Sequence, residues 1–223
     1  MEVRWEALAG EARAVLELLA RQPWIRDFYL AGGTGLALQF GHRISVDMDL
    51  FSMDDPLSFE TRQRITISLV EAAGPEHLQV DQESNGTLGV HIYGIGVSFF
   101  HYPYPVVAPL VPILGELQAA SPEDIGLMKI AAIIGRGSKR DFIDLYFVTR
   151  TLLLERLLEM GPAKFPQVRD FAVQAARALV YFEDAEGQRM PKMLRPVTWE
   201  AVKRYFVREV RRLSRTWIEP LSK

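Results

Sequence analysis

The chain has 223 residues, no cysteine, 48% hydrophobic residues and a formal net charge of −2 at pH 7. This length suits one large domain or a close pair, the composition excludes a disordered chain, and the lack of cysteine excludes disulfides, zinc–thiolate sites and cysteine nucleophiles. No run approaches the ~18 to 20 apolar residues of a membrane span, and charges interrupt the N-terminal apolar stretches. We therefore expect a cytoplasmic protein without a signal peptide or membrane partner.

Charge is distributed unevenly along the chain. From Gly187 to the end there are 10 Lys or Arg residues and 3 Asp or Glu residues, so this segment carries +7 and the remainder −9. A basic segment of this kind can attract a polyanion through its field, and it is also typical of a solvated helix face. Composition leaves both interpretations open.

The first half of the sequence mixes helix and strand patterns. Apolar residues at helical spacing predict an amphipathic helix over 3–21. The short aromatic run 27–31, which ends at glycines, predicts a buried strand. The other predicted elements of this half are helices over 34–40 and 57–73, strands over 46–51, 78–82, 87–93 and 96–102, and one further edge strand over 111–117.

The second half reads as helical. Ser121 and Pro122 supply a cap and an N-terminal proline for a helix reaching about residue 134, and Ser138 is placed to cap a second helix through about 157. Helical patterns recur over 168–182 and 199–217. The predicted class is therefore α/β (α+β): a mixed sheet flanked by helices over 1–120, then a helical region over 121–223. We expect that region to pack on the core and to contribute to the active site.

An Asp-x-Asp pair is the first candidate site. Asp47 and Asp49 are two residues apart on the predicted strand 46–51, so their carboxylates point to the same side and can reach one divalent cation. Apolar neighbours would anchor that strand in the core, where two unpaired carboxylates repel each other. On its own, the pattern fits either a metal-binding pair or ordinary surface charge.

A glycine turn lies just upstream of these acids. The predicted strand 27–31 runs into Gly32, Gly33 and Thr34 at the start of a short helix. Glycines let a ligand approach the backbone closely, and the N–H groups at a helix start bind phosphate oxygens. One turn can thus hold a triphosphate while the next strand holds its metal; an ordinary tight turn is the alternative.

A third block, over residues 129–145, adds charges to an apolar helix and the bend after it. Lys129 lies in an apolar run, where its ammonium must snorkel to water or meet an anion such as a triphosphate. Cations suited to phosphates or an RNA backbone follow, namely Arg136, Lys139 and Arg140. Asp141 fits a helix-start acid. Asp144 fits a partner for Arg140, one turn earlier.

Two blocks of the sequence together closely resemble the AbiEii/AbiGii toxin family, of the minimal-nucleotidyltransferase group in the polymerase-beta-like superfamily. They are GGTGLALQFGHRISVDMDLF at 32–51 and KIAAIIGRGSKRDFIDL at 129–145, and the resemblance covers about residues 25–150. It implies a nucleotidyltransferase core, a divalent metal (Mg²⁺ or Mn²⁺) and transfer of a nucleoside monophosphate from a triphosphate to an acceptor. Some members are toxins of toxin–antitoxin or phage-defence systems, and relatives modify the acceptor end of tRNA.

The resemblance also assigns roles to residues of this sequence. By it, the site comprises the phosphate-binding turn Gly32, Gly33 and Thr34, the metal carboxylates Asp47 and Asp49, the later lysine Lys129 and, as the later acid, Asp141 or Asp144. His42 and Arg43 match the family's GHR stretch. We expect Arg43 to reach a phosphate bidentately and His42 to have a structural role.

One feature departs from the wider superfamily. Many nucleotidyltransferases carry a third carboxylate on a later strand, but the predicted strand 96–102 has no acid. Three explanations remain open. Asp141 or Asp144 replaces that acid, His101 serves as the base, or the chain binds nucleotide without efficient transfer.

The function expected first is a metal-dependent nucleotidyltransferase with an NTP substrate, an RNA or tRNA acceptor and, by analogy, a toxin role with a cognate antitoxin. The alternatives are a non-catalytic nucleotide- or RNA-binding protein and a small-molecule nucleotidyltransferase. The expectation requires that the acid pair, the glycine turn and Lys129 converge on a single cleft.

Overall fold

A computed structural model describes residues 2–218 of the chain. The chain divides into two compact units, with the division after Ser121. The first unit contains the β-sheet, and the second is helical. No helix within residues 2–218 combines the length and the apolar character needed to cross a membrane.

The first unit is built on one mixed sheet. Its strands are β1 Tyr29–Leu30, β2 Met48–Ser52, β3 Leu78–Ser84, β4 Thr87–Ile92, β5 Ile95–His101, β6 Val111–Leu114 and β7 Leu117–Ala119. Their order across the sheet is β3-β4-β5-β2-β1-β7-β6. β2 is parallel to β5 and β1 is parallel to β7, while the other neighbours are antiparallel.

Helices cover one face of this sheet. The α-helices of the unit are α1 Ala12–Ala20, α2 Gly32–Phe40 and α3 Phe59–Ala73, with 3-10 helices at Trp5–Ala7, Ile25–Asp27 and Pro75–His77. Leu16 of α1 and Leu69 of α3 share a buried cluster with Leu50, Val97 and Phe99 from the central strands. Because side chains alternate along a strand, the strand residues of opposite parity, such as Asp49 and Ser98, face the other side of the sheet. We call this side the open face.

The mixed α/β class is confirmed, but several boundaries in this unit were predicted wrongly. The helix predicted over 3–21 is a 3-10 turn followed by α1, because Leu8 leaves the helical path to form a β-bridge with Ser45. The single edge strand predicted over 111–117 is the hairpin of β6 and β7. In that hairpin β7 is not an edge strand, since it also pairs with β1.

The second unit consists of helices. They are α4 Pro122–Arg136, α5 Lys139–Val148, α6 Leu154–Lys164, α7 Phe171–Ala178, α8 Glu183–Glu186 and α9 Trp199–Ile218. The rings of Phe142, Phe182 and Trp199 pack together with centroids 5.2 to 5.7 Å apart. A buried ion pair joins α4 to α6, with Lys164 Nζ 2.7 Å from Asp124 Oδ1.

The helix predicted from Ser138 to about 157 was also wrong in its length. The structure divides it into α5 and α6, with an extended Leu153 between them. The hydroxyls of Thr149 and Thr151 donate at 2.9 Å to backbone carbonyls three residues earlier. Such side-chain hydrogen bonds compete with the helical ladder, which explains why the helix ends here.

Candidate active site

The N-terminus of α2 forms the glycine turn predicted from the sequence. Gly32 has a φ of +60°, in the left-handed region that favours glycine. Gly35 N donates to Ala31 O at 3.0 Å, so the amides of residues 32–34 precede the helical ladder. Amides in this position, at the positive end of the helix dipole, are suited to phosphate oxygens.

Asp49 lies on β2 directly beside this turn. Ala31 N donates to Asp49 O at 2.9 Å. A Cβ added at Gly32 would lie only 2.5 Å from Asp49 Oδ2. The missing side chain at Gly32 therefore makes room for the carboxylate, and the structure brings the turn and this acid together.

Asp47 approaches from the chain just before β2. The strand predicted over 46–51 begins at Met48, so Asp47 lies outside it and is exposed. Its Oδ1 is 3.1 Å from the point that a Cβ on Gly96 would occupy. Gly96 and Ser98 alternate with core residues of β5, and Ser98 is the register partner of Asp49. Both acids therefore lie on the open face.

Buried polar side chains brace the turn and the acids. The Thr34 hydroxyl donates to the Asp47 carbonyl and shares a 2.8 Å hydrogen bond with Ser45 Oγ. Arg43 Nη1 donates to Ser45 Oγ at 3.4 Å, and its guanidinium lies where a Cβ on Gly33 would collide with it. Thr34 and Arg43 were expected at the phosphates; in the structure their side chains are buried in this bracing network.

Ser45 was missed by the sequence analysis. It is buried and bonds to both Thr34 and Arg43, so it connects α2 to the segment that carries Asp47. A signal was present, because Ser45, Asp47 and Asp49 alternate with apolar residues and such a period-two pattern places polar side chains on one face.

The acid pair fits a magnesium-type ion. Among the residues that the structure describes, no group of three or more His, Cys, Asp or Glu side chains could hold a metal by itself. Mg²⁺ is commonly bound by one or two carboxylates together with substrate phosphates rather than by an all-protein cage. Asp49 lies against Gly32 of the phosphate-type turn and Asp47 lies against Gly96 on β5, and two carboxylates completed by substrate phosphates match that donor set.

The two histidines considered for this region lie elsewhere. His42 is fully buried and its ring contacts Phe40 edge-on at 6.4 Å, which agrees with a structural role. His101 was considered as a base. It has the same parity along β5 as the core residues Val97 and Phe99, so alternation places it on the face opposite Asp49.

In the second unit, Lys129 meets two carboxylates. Lys129 Nζ lies 2.8 Å from Asp141 Oδ1 and 2.9 Å from Asp144 Oδ2. Burial lowers the pKa of the Lys129 ammonium, but the charges of Asp144 and Asp141 outweigh it, so the pKa is raised above its usual 10.5. Asp144 was expected to pair with Arg140; the structure places it against Lys129.

Asp141 has two roles in this cluster. Its Oδ2 accepts from Ser138 N at 3.0 Å and Ser138 Oγ at 2.7 Å, which completes a capping box for α5. The same carboxylate contacts Lys129 through Oδ1. Asp141, which the sequence predicts as a helix-start acid, is thus also an ion-pair partner of Lys129.

The basic residues after α4 separate into two kinds. Arg136 and Arg140 are exposed, as phosphate-binding residues would be. Lys139 is buried instead, and its Nζ donates to Glu186 O at 3.0 Å and Gln188 O at 2.6 Å. Lys139 therefore holds the segment after α8, which removes it from the phosphate-binding candidates.

Comparison with known proteins extends this picture. The family described as "Nucleotidyl transferase AbiEii toxin, Type IV TA system" matches residues 13–215. An uncharacterised protein of Aquifex aeolicus (strain VF5) is 36% identical over 210 residues, 92% of this chain and 96% of that protein.

Two solved structures share the fold at low sequence identity. MenT4, the nucleotidyltransferase toxin Rv2826c of Mycobacterium tuberculosis H37Rv, aligns with a TM-score of 0.54 at 20% identity, over 91% of this chain and 85% of that one. A protein of H. pylori described as a nucleotidyltransferase aligns with a TM-score of 0.53 at 17% identity, over 94% and 93%. The nucleotidyltransferase-like fold and the resemblance carried by the two sequence blocks are confirmed, and the chain belongs to the AbiEii nucleotidyltransferase toxin family.

Proposed function

We propose that this protein transfers a nucleoside monophosphate from an NTP to an RNA acceptor and acts as the toxin of a toxin–antitoxin pair. The observation that carries the proposal is the contact between the glycine turn and the acid pair. The Asp49 carboxylate occupies the space left by the Gly32 side chain, so a triphosphate held by the turn would lie beside this acid, while Thr34 of the same turn donates to the Asp47 carbonyl. Family membership and the toxin relatives support the same function.

Each part of this site would have a distinct task. The amides of residues 32–34 would bind the phosphates, and Asp47 and Asp49 would hold Mg²⁺ or Mn²⁺, which when bound neutralises charge on the phosphoryl oxygens. Thr34 and Ser45 keep Asp47 in place. The acceptor hydroxyl attacks the α-phosphorus and pyrophosphate leaves, so the protein contributes mainly position and electrostatics.

The acceptor class is inferred from α9. Its exposed arginines follow one face at intervals of three and four residues: Arg204, Arg208, Arg211 and Arg215. At 1.5 Å per residue they span roughly 16 Å. A row of arginines at this spacing suits a nucleic-acid backbone better than a small hydroxyl compound.

A labelling experiment tests the transfer. The protein is incubated with each α-labelled NTP, Mg²⁺ or Mn²⁺, and total tRNA, and label in the RNA is measured. We expect Asp47→Asn and Asp49→Asn to lower transfer at least about 100-fold. Asp54→Asn, which changes an exposed acid just after β2, should transfer like the wild type. No transfer under any combination would contradict catalysis.

The alternative of binding without transfer has its own structural motive. β5 contains no acid, so the third carboxylate of many nucleotidyltransferases is missing from this strand. Expression of wild type and Asp49→Asn in cells separates the two functions. If the protein is a catalytic toxin, the wild type should arrest growth and Asp49→Asn should not. If it is a binding protein, the wild type and Asp49→Asn should arrest growth equally.

The RNA assignment is tested by salt and by charge. Replacing Arg204, Arg208 and Arg211 with Gln should weaken tRNA binding and flatten its dependence on salt concentration, because fewer counterions are released. NTP binding should be unchanged. Equal RNA binding by the variant would instead favour a small-molecule acceptor.

A further inference from the structure

On the open face of the sheet, small residues lie between the acid pair and His91. Gly96 and Ser98 of β5 lie next to the acids, and the β4 residues paired with them are His91 and Gly89 respectively. Glycine has no side chain and serine has a short one, so few side-chain atoms project from this part of the face. His91 is therefore the first large side chain encountered on β4 when moving away from Asp47.

His91 is oriented by a short polar network. Its Nδ1 contacts Asp81 Oδ2, and Gln79 Nε2 donates to Asp81 Oδ1 at 3.0 Å. A neutral imidazole that donates its Nδ1 proton to Asp81 keeps a lone pair on Nε2. The His91 side chain is about half exposed, so Nε2 is accessible to a ligand.

Nε2 of His91 faces the Asp47 carboxylate across Gly96. A Cβ placed on Gly96 would be 3.7 Å from His91 Nε2 and 3.1 Å from Asp47 Oδ1. The two atoms thus border one notch, which exists because residue 96 has no side chain. A hydroxyl group in this notch could contact both of them.

The notch and the glycine turn lie on opposite sides of β2. The turn is the N-terminus of α2 and follows β1, on the β1 side of β2, whereas Gly96 and His91 lie on the β5 side. In-line phosphoryl transfer requires the attacking oxygen and the leaving pyrophosphate on opposite sides of the phosphorus. If the turn holds the departing phosphates, the acceptor hydroxyl enters from the side of His91.

We propose that His91 binds the attacking hydroxyl of the acceptor and takes the place of the missing third carboxylate. This inference rests on the proposed nucleotidyltransferase function. His91 Nε2 accepts the hydrogen bond of the hydroxyl. As the oxygen forms its bond to the α-phosphorus, the bond to pyrophosphate breaks and the hydroxyl proton passes to Nε2, from which it is released to water. Asp81 is the positioning residue that holds the ring.

The test measures transfer of labelled NTP to total tRNA together with equilibrium binding of a fluorescent ATP analogue. His91→Ala should lower kcat about 100-fold and leave nucleotide binding unchanged. Asp81→Asn should lower kcat about tenfold, the loss expected for one orienting hydrogen bond. Added imidazole should restore part of the His91→Ala rate, which a purely structural role would not allow. His101→Gln, on the opposite face, is the control and should match the wild type.

The possible failures are distinguishable. A wild type that transfers no label overturns the proposed function and this inference with it. Loss of transfer in Asp49→Asn combined with a normal rate in His91→Ala overturns the role of His91 alone. Parallel loss of nucleotide binding and transfer in His91→Ala also overturns it, because His91 would then belong to the triphosphate side.

Discussion

Replacing Gly32 by alanine separates backbone strain from the geometry of the acids. An L-residue in the left-handed conformation costs about 1 to 2 kcal/mol, and the φ of Gly32 is +60°. The new methyl would also lie 2.5 Å from Asp49 Oδ2, so the carboxylate must move. A displacement on the order of 1 Å at a reacting centre can lower turnover about 100-fold. We therefore expect a loss of activity far larger than the loss of stability.

Gly10→Ala is the matched control for this prediction. Gly10 also has a positive φ, +42°, but a Cβ there meets nothing within 4 Å. Thermal melts should show both variants destabilised by a few degrees, while labelled transfer should fall only in Gly32→Ala. Equal activity of the two variants would refute the argument that the Gly32 vacancy positions Asp49.

Three further predictions concern the buried polar groups. Lys129→Met should destabilise the second unit by about 3 to 5 kcal/mol in denaturant titrations, because Asp144 would keep a buried charge without its lysine; a smaller effect than about 1 kcal/mol would contradict the ion cluster. Since the pKa of Lys129 is raised above 10.5 in the folded state, its contribution should be fully present below the unfolded pKa and lost as the pH rises through the folded pKa. The difference in Tm between wild type and Lys129→Met should therefore stay constant from pH ~7 to ~9 and shrink only at more alkaline pH. Thr34→Val removes the hydrogen bond to the Asp47 carbonyl and should lower stability by about 1 to 2 kcal/mol. It should also lower kcat in the labelling assay. An unchanged kcat would show that this hydrogen bond does not position the acid pair.

Features determined by local pattern could be predicted from the sequence. The diglycine turn, the helix after it and the serine cap of α5 depend on residues within one or two turns of each other, and the structure contains all three. Errors arose where a distant partner decides the conformation. The helix predicted over 3–21 is broken by the bridge between Leu8 and Ser45, and the central position of β7 depends on β1. Neither partner is visible in a local window.

The same distinction explains which site residues were missed. Ser45 and His91 gain their roles from contacts across strands, and neither belongs to a recognisable motif on its own. For the acid-free strand 96–102, the sequence analysis named Asp141, Asp144 and His101 as replacements. His91, which we propose in that role, lies on the neighbouring strand at the position paired with Gly96. Register, which no single-strand pattern contains, makes that substitution visible.

Gly32 and Gly96 leave space beside the two carboxylates of the acid pair. In the proposed function each carboxylate binds a cation beside substrate oxygens, which requires open space on its ligand side and firm support behind it. Gly32 and Gly96 provide the space beside Asp49 and Asp47 respectively. Support comes from β2 for Asp49 and from the Thr34 hydroxyl for Asp47. In the proposed reaction, a side chain at either glycine would fill the space beside its carboxylate, so both positions should tolerate nothing larger without loss of transfer.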